Sequence, residues 1–281
     1  MGVRIWAQSI FGEDHRSYSR EGYAVINEGI ERLYAKVLSS DTKVNVSFVE
    51  RSTYLTSHSH LELFNNAEIL KGIIRAEDEG YDVAFVRCGN DPAIREGREA
   101  VRIPVVGMTE AAMHYACQLG SKFAVIGVDE KSGPIVERNI KSFGLEDKAI
   151  AVRPVRCPVG PDWEPLLYDS IPWFQSTDLV LEKVVPEFEK VARRCIDDGA
   201  EVIVTGCALY ASFTLAGYNM ISGTQVPVVE STAVGIKTAE MMGSLYRSLG
   251  LSTSKHMTYH NYVTPEMRTE LLSPFESPRI D

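Results

Sequence analysis

Cys88 and Cys207 each close a short apolar run, Val83-Ala84-Phe85-Val86-Arg87-Cys88-Gly89 and Val202-Ile203-Val204-Thr205-Gly206-Cys207-Ala208. The thiolate of cysteine is a base and the thiol an acid, so two cysteines facing one small molecule form a symmetric proton-exchanging pair. Racemisation beside a carbonyl needs such a pair. One group takes the proton from one face of the carbon, the other returns a proton to the opposite face, and fixed donors hold the charge of the enolate between them. Either thiol serves as thiolate while its partner keeps the proton, so each stereoisomer finds its own base and no metal or cofactor is required.

The elements that must position these thiols repeat along the chain. Each apolar run follows a helical stretch ending at Gly80 or Gly199. Sixteen residues after Cys88 comes Pro104-Val105-Val106-Gly107-Met108-Thr109-Glu110, and twenty after Cys207 comes Pro227-Val228-Val229-Glu230-Ser231-Thr232. Two blocks in register, each strand, cysteine, helix, Pro-Val-Val strand and helix, point to a duplicated α/β unit.

Apolar runs alternate with amphipathic stretches on both sides of the blocks. Strands are expected at Val3 to Ala7, Val44 to Val49, Val83 to Val86, Pro104 to Met108, Phe123 to Val128, Ile150 to Val155, Val202 to Thr205 and Val226 to Val229. Helices are expected at Gly22 to Leu38, Leu61 to Glu79, from Asp91-Pro92, at Thr109 to Leu119, Ile135 to Phe143, Leu179 to Asp198, after Cys207, and at Thr232 to Leu249. This rhythm predicts parallel sheets covered by helices.

Ligands of open parallel sheets bind beyond the carboxyl ends of the strands, where both cysteines fall. A helix opening after each cysteine would lower its pKa and hold an enolate oxygen through free backbone N–H groups. Gly89 allows a ligand close to the backbone, while Asn90 and Asp91 offer polar contacts and a helix cap. Thr109 and Glu110, with Glu230 and Ser231, end the Pro-Val-Val strands at the same edge. Capping accounts for them nearly as well.

Composition narrows the classes. The chain has 281 residues, 44% of them hydrophobic and 24% charged, enough for a full core. A net charge of -9 without a basic run argues against nucleic acid. The first residues form no signal peptide and no stretch is long enough for a membrane span, so a cytoplasmic location is expected. The five cysteines include no C-x-x-C pair. Cys117 and Cys195 lie in helical patterns and read as core, and Cys157 as a loop residue. There is no G-x-x-x-x-G-K-[ST], no H-E-x-x-H, and no G-x-G-x-x-G after the first strand, so no cofactor and no metal are expected.

With these blocks the chain resembles the aspartate/glutamate racemase superfamily and, within it, the hydantoin racemase branch. Cys88-Gly89-Asn90-Asp91-Pro92 with Pro104-Val105-Val106-Gly107 runs close to that branch's Cys-x-x-Asp-Pro and Pro-Val-Val-Gly pattern. Gly206-Cys207-Ala208 with Pro227-Val228-Val229 matches its Gly-Cys-Ala segment and second Pro-Val strand. The resemblance implies two pseudo-symmetric, doubly wound parallel-sheet domains, with the active site in the cleft between them and Cys88 and Cys207 as acid and base. It also implies a small-molecule substrate, such as a 5-substituted hydantoin, and a homo-oligomer. Where the branch carries an Asn-Pro-Asn-Ser/Thr-like substrate loop, this chain has Ala7-Gln8-Ser9-Ile10. The expected substrate contacts are Gln8, Ser9, Gly89, Asn90, Thr109, Ala208, Leu209 and Glu230. The expected domains are 1–109 with about 222–281, holding Cys88, and about 110–221, holding Cys207.

Three other functions compete. A maleate-type cis-trans isomerase would also use both thiols, one adding covalently to an alkene. An arylmalonate-type decarboxylase would need one, and a binding protein would keep the cleft with thiols of ordinary pKa. Among the remaining residues, His58 and His60 have metal-ligand spacing without acidic or cysteine partners, so a solvated loop is expected. His114 reads as packing or surface, His256 and His260 as tail residues able to fold over the cleft, and Glu50 with Arg51 as a surface pair. Trp163, Tyr168, Trp173 and Phe174 read as loop or subunit packing, with a lid or an aromatic substrate pocket as the other reading.

Overall fold

A computed structural model describes residues 2–12, 20–53, 58–158, 170–257 and 263–272. Its strands are β1 (Arg4–Gln8), β2 (Lys43–Ser47), β3 (Val83–Val86), β4 (Val105–Gly107), β5 (Phe123–Ile126), β6 (Val155–Arg156), β7 (Val202–Thr205) and β8 (Val228–Val229). The helices are α1 (Arg20–Val37), α2 (Ser59–Asp78), α3 (Ile94–Ala100), α4 (Met108–Leu119), α5 (Gly133–Ser142), α6 (Val185–Asp197), α7 (Ala211–Ala216), α8 (Ser231–Leu249) and α9 (Pro265–Leu272).

The strands form two four-stranded parallel sheets with the same topology, β2-β1-β3-β4 and β6-β5-β7-β8. β3 and β7 are buried along their length, and Val83–Val86 and Val202–Thr205 are apolar runs for that reason. Register carries the repeat to single residues. Gln8 pairs with Val86, two before Cys88, and Ile126 pairs with Thr205, two before Cys207. Helices α4 and α8, each following the last strand of its sheet, pack on one another and join the halves. α8 also lies on the first sheet through two glycines: a Cβ at Gly235 would stand 2.7 Å from Phe85 Cε2, and one at Gly243 2.6 Å from Val3 Cγ1. This burial holds α8 in place.

Four sequence expectations need correction. β8 lies beyond residue 222 yet pairs with β7, so it belongs to the Cys207 sheet and not to the unit holding Cys88. The strand expected over Ile150 to Val155 shrinks to Val155–Arg156, because Arg153 takes a left-handed φ of 48° and Pro154 has no N–H to give. No helix opens at Asp91-Pro92: Asp91 and Ala93 have φ of 47° and 57°, and α3 starts at Ile94. The helix expected from Leu179 contains a π turn at Val180–Val184. There Pro186 lacks the N–H that would close an α turn on the Glu182 carbonyl. Among the described residues, no helix is long and apolar enough to cross a membrane.

Candidate active site

In each sheet the chain leaves the first strand to one side and returns on the other, so a crevice opens at the carboxyl ends of β1 and β3 and of β5 and β7. The loops at these two switch points meet. A Cβ on Gly89 would lie 1.8 Å from the carbonyl oxygen of Gly206, so only glycine lets the Cys88 turn rest on the Cys207 turn. This contact places both cysteines in the wall of one cavity of about 80 Å³. Around them stand Ser9, Ile10 and Phe11 after β1, and Val128, Asp129 and Ser132 after β5. Ile10 and Val128, like Phe11 and Asp129, are equivalent positions by the strand register. Tyr23, Ile26 and Ile30 of α1 close one side.

Cys88 and Cys207 are free thiols, partly buried. Burial is the largest influence on Cys88 and holds its pKa well above the ordinary thiol value. The Asn90 N–H opposes it, while Cys207, Asp91 and Glu62 add to it. Burial likewise pushes Cys207 up to about 12, against the N–H groups of Leu209 and Ala208 and with the charges of Asp129 and Glu230. The expectation of lowered thiol pKa values is therefore overturned: both are raised. No helix starts at Cys88, and the 3-10 turn Ala208–Tyr210 supplies two donors that desolvation outweighs. Those N–H groups remain aimed at the sulfurs and favour whichever thiolate forms.

The structure brings Ser9, Gly89, Asn90, Ala208 and Leu209 to the cavity wall with the cysteines. The Ser9 hydroxyl bonds that of Tyr23 at 2.7 Å, and the Asn90 carbonyl accepts from Asn139 at 2.7 Å. Three other expected contacts lie elsewhere. Gln8 accepts from Trp6 Nε1 at 2.8 Å and donates to the Ser9 carbonyl, its side chain wedged against Gly72. Thr109 is buried in α4 and gives its backbone N–H to Asp91. Glu230 caps α8, accepting from Thr232 at 2.8 Å and Ala233 at 2.9 Å, and burial pushes it up to about 7. Asp91 bonds the N–H groups of Thr109 and Glu110 at 3.0 and 2.7 Å, so it caps α4 from the cysteine loop rather than a helix of its own. Glu110 pairs with Arg98 at 2.6 Å.

Asp129, Ser132, Tyr23 and Arg87 also line the cavity and escaped the sequence reading. Carrying the repeat past the strand ends would have reached Asp129 through Phe11; α1 residues leave no such signal. Behind the Cys207 turn, Trp173 stacks on Tyr210 at 6.4 Å and Phe174 packs against Gly29, so these two aromatics are packing and not lid. Trp163, Tyr168 and His260 lie outside the described residues. His58 faces the Lys131 ammonium at 2.6 Å, and among the described residues no group of three metal-ligating side chains occurs.

The sequence profile of the Asp/Glu/Hydantoin racemase family matches residues 26–239. A hydantoin racemase of Rhizobium meliloti is 31% identical over 192 residues, 68% of this chain and 70% of its own. A hydantoin racemase of Pseudomonas sp. (strain NS671) is 26% identical over 235 residues, 83% of this chain and 86% of its own. The solved structure of an allantoin racemase from Klebsiella pneumoniae superposes with a TM-score of 0.70 at 21% identity, covering 93% of this chain and 94% of that one.

Proposed function

The chain belongs to the Asp/Glu/Hydantoin racemase family and is a racemase, and from that premise we propose that it inverts the stereocentre of a 5-substituted hydantoin or related carbon acid through Cys88 and Cys207. The observation that carries this reading is the Gly89-to-Gly206 contact, which sets both thiols in the wall of one cavity. One cysteine, as thiolate, takes the proton from the carbon next to the carbonyl. The other, as thiol, delivers its proton to the opposite face, and the pair ends the turnover with protonation exchanged. Backbone N–H groups of Asn90, Ala208 and Leu209 steady each thiolate in turn. The curated relatives named above are hydantoin racemases, which supports a cyclic ureide as the substrate class.

The test is incubation in D2O with single enantiomers of 5-alkylhydantoins, allantoin and amino acids, followed by mass spectrometry and polarimetry. A cyclic ureide should racemise and gain one deuterium at its stereocentre, with all other bonds unchanged. Loss of carbon dioxide, or recovery of every compound undeuterated, would refute the reading.

A further inference from the structure

The two cysteine blocks differ most in the residue before each thiol, arginine at 87 and glycine at 206. Arg87 is 6% exposed and lines the cavity that holds both thiols. Its Nη2 donates to Asn27 Oδ1 at 2.7 Å, whereas Nη1 is buried without a hydrogen-bond partner. The hydroxyls of Tyr34 and Tyr23 interact with the guanidinium, and that of Tyr34, pushed up to about 12 by burial, is a neutral group. Among the described residues no carboxylate forms an ion pair with Arg87. Glu31 and Glu230 act on Tyr34, and Glu230 spends both oxygens on the α8 cap.

A guanidinium stays charged at any working pH, and burying it with an unmatched donor and no counter-ion is strongly unfavourable. The described residues supply no anion to this guanidinium, and an anionic group on the ligand would. We infer that Arg87 is the specificity-determining residue for a carboxylate on the substrate, so that the preferred carbon acid carries an anionic substituent and not a neutral alkyl group. The inference rests on the racemase reading above. Nη1 supplies a charge-assisted hydrogen bond to the carboxylate, with Tyr23 at its side, and the substituent's carbons lie over Ile26 and Ile30 in the same wall. Among the described residues, no other residue of that wall is a cation.

The test compares 5-(2-carboxyethyl)hydantoin with its uncharged amide, 5-(2-carbamoylethyl)hydantoin, by calorimetry on the full chain and on Arg87→Lys and Arg87→Gln. The wild type should bind the carboxylate at least tenfold more tightly than the amide. Arg87→Lys should keep a preference, and Arg87→Gln should bring the two within about twofold. Equal wild-type affinities, binding of neither compound, or a preference that survives in Arg87→Gln would overturn the assignment. The wild-type ratio decides against it even where a variant fails to fold. Deuterium exchange on the same samples separates the two readings. Equal exchange of both compounds refutes the role of Arg87 and leaves racemisation standing, whereas Arg87-dependent binding without exchange refutes racemisation and leaves the anion site.

Discussion

Burial outweighs the backbone donors around both thiols and favours their protonated forms, and the proposed chemistry must begin by removing one proton. With Cys207 raised to about 12, the thiolate fraction grows about tenfold per pH unit below that value. On the two-thiol reading, log kcat/KM should climb with a slope near one between about pH 7 and 9, measured by polarimetry in buffers of constant ionic strength. Asp129 is the strongest of the charges that raise Cys207, and it also receives the Ser132 N–H at 2.8 Å. Asp129→Asn keeps the shape and removes the charge. The alkaline limb should move to lower pH by roughly half a unit to one unit; an unmoved limb would mean that Asp129 does not govern the thiol. Glu230 provides a separate titration. Its folded pKa of about 7 exceeds its ordinary value, so its contribution to stability is complete below about pH 4.5 and fades as pH rises through 7. Thermal melting should therefore show Glu230→Gln gaining on the wild type between pH 5 and 7.

At the scale of elements, the site depends on two loops that touch through bare backbone. Gly89→Ala puts a methyl group into the Gly206 carbonyl and should cost about 1–3 kcal/mol in thermal or urea unfolding, together with most of the activity. Full activity in that variant would show that the loops need not meet. Much of this architecture was legible in the sequence, because Val83–Val86 and Val202–Thr205 are short apolar runs that end alike and are followed alike by Pro-Val-Val. The missing part was tertiary. Asp91 reads locally as a helix cap beside Pro92, but its carboxylate reaches the start of α4, and the left-handed turn that permits this leaves no periodic mark. Glu230 and Thr109 stand at the right sheet edge for substrate contact, yet helix N-termini claim the carboxylate of one and the backbone of the other. Gln8, expected in the loop after the first strand, instead ends β1 and turns into the core toward Trp6. Sheet edge can be read from sequence; the direction a side chain takes from it depends on the neighbouring element.

For the whole molecule, two sheets of one topology set equivalent strand ends against each other, and the near-symmetry suits a reaction whose substrate and product are mirror images. The symmetry is broken where Arg87 holds the position that Gly206 holds in the second block, and there, on the inference above, the chain distinguishes one end of a ligand from the other. Folding and chemistry share the same thiols. Because the folded state holds Cys88 and Cys207 protonated above their ordinary values, stability should fall as pH rises beyond about 8.5, and less steeply in Cys→Ser variants. The measurement that bears most directly on the two-thiol account is the rate of racemisation of a single-enantiomer hydantoin by Cys88→Ser and Cys207→Ser, with circular dichroism to confirm the fold. Each variant should lose about 10²–10⁴-fold in kcat/KM while keeping its secondary structure. Near-full activity in either folded variant would contradict the account.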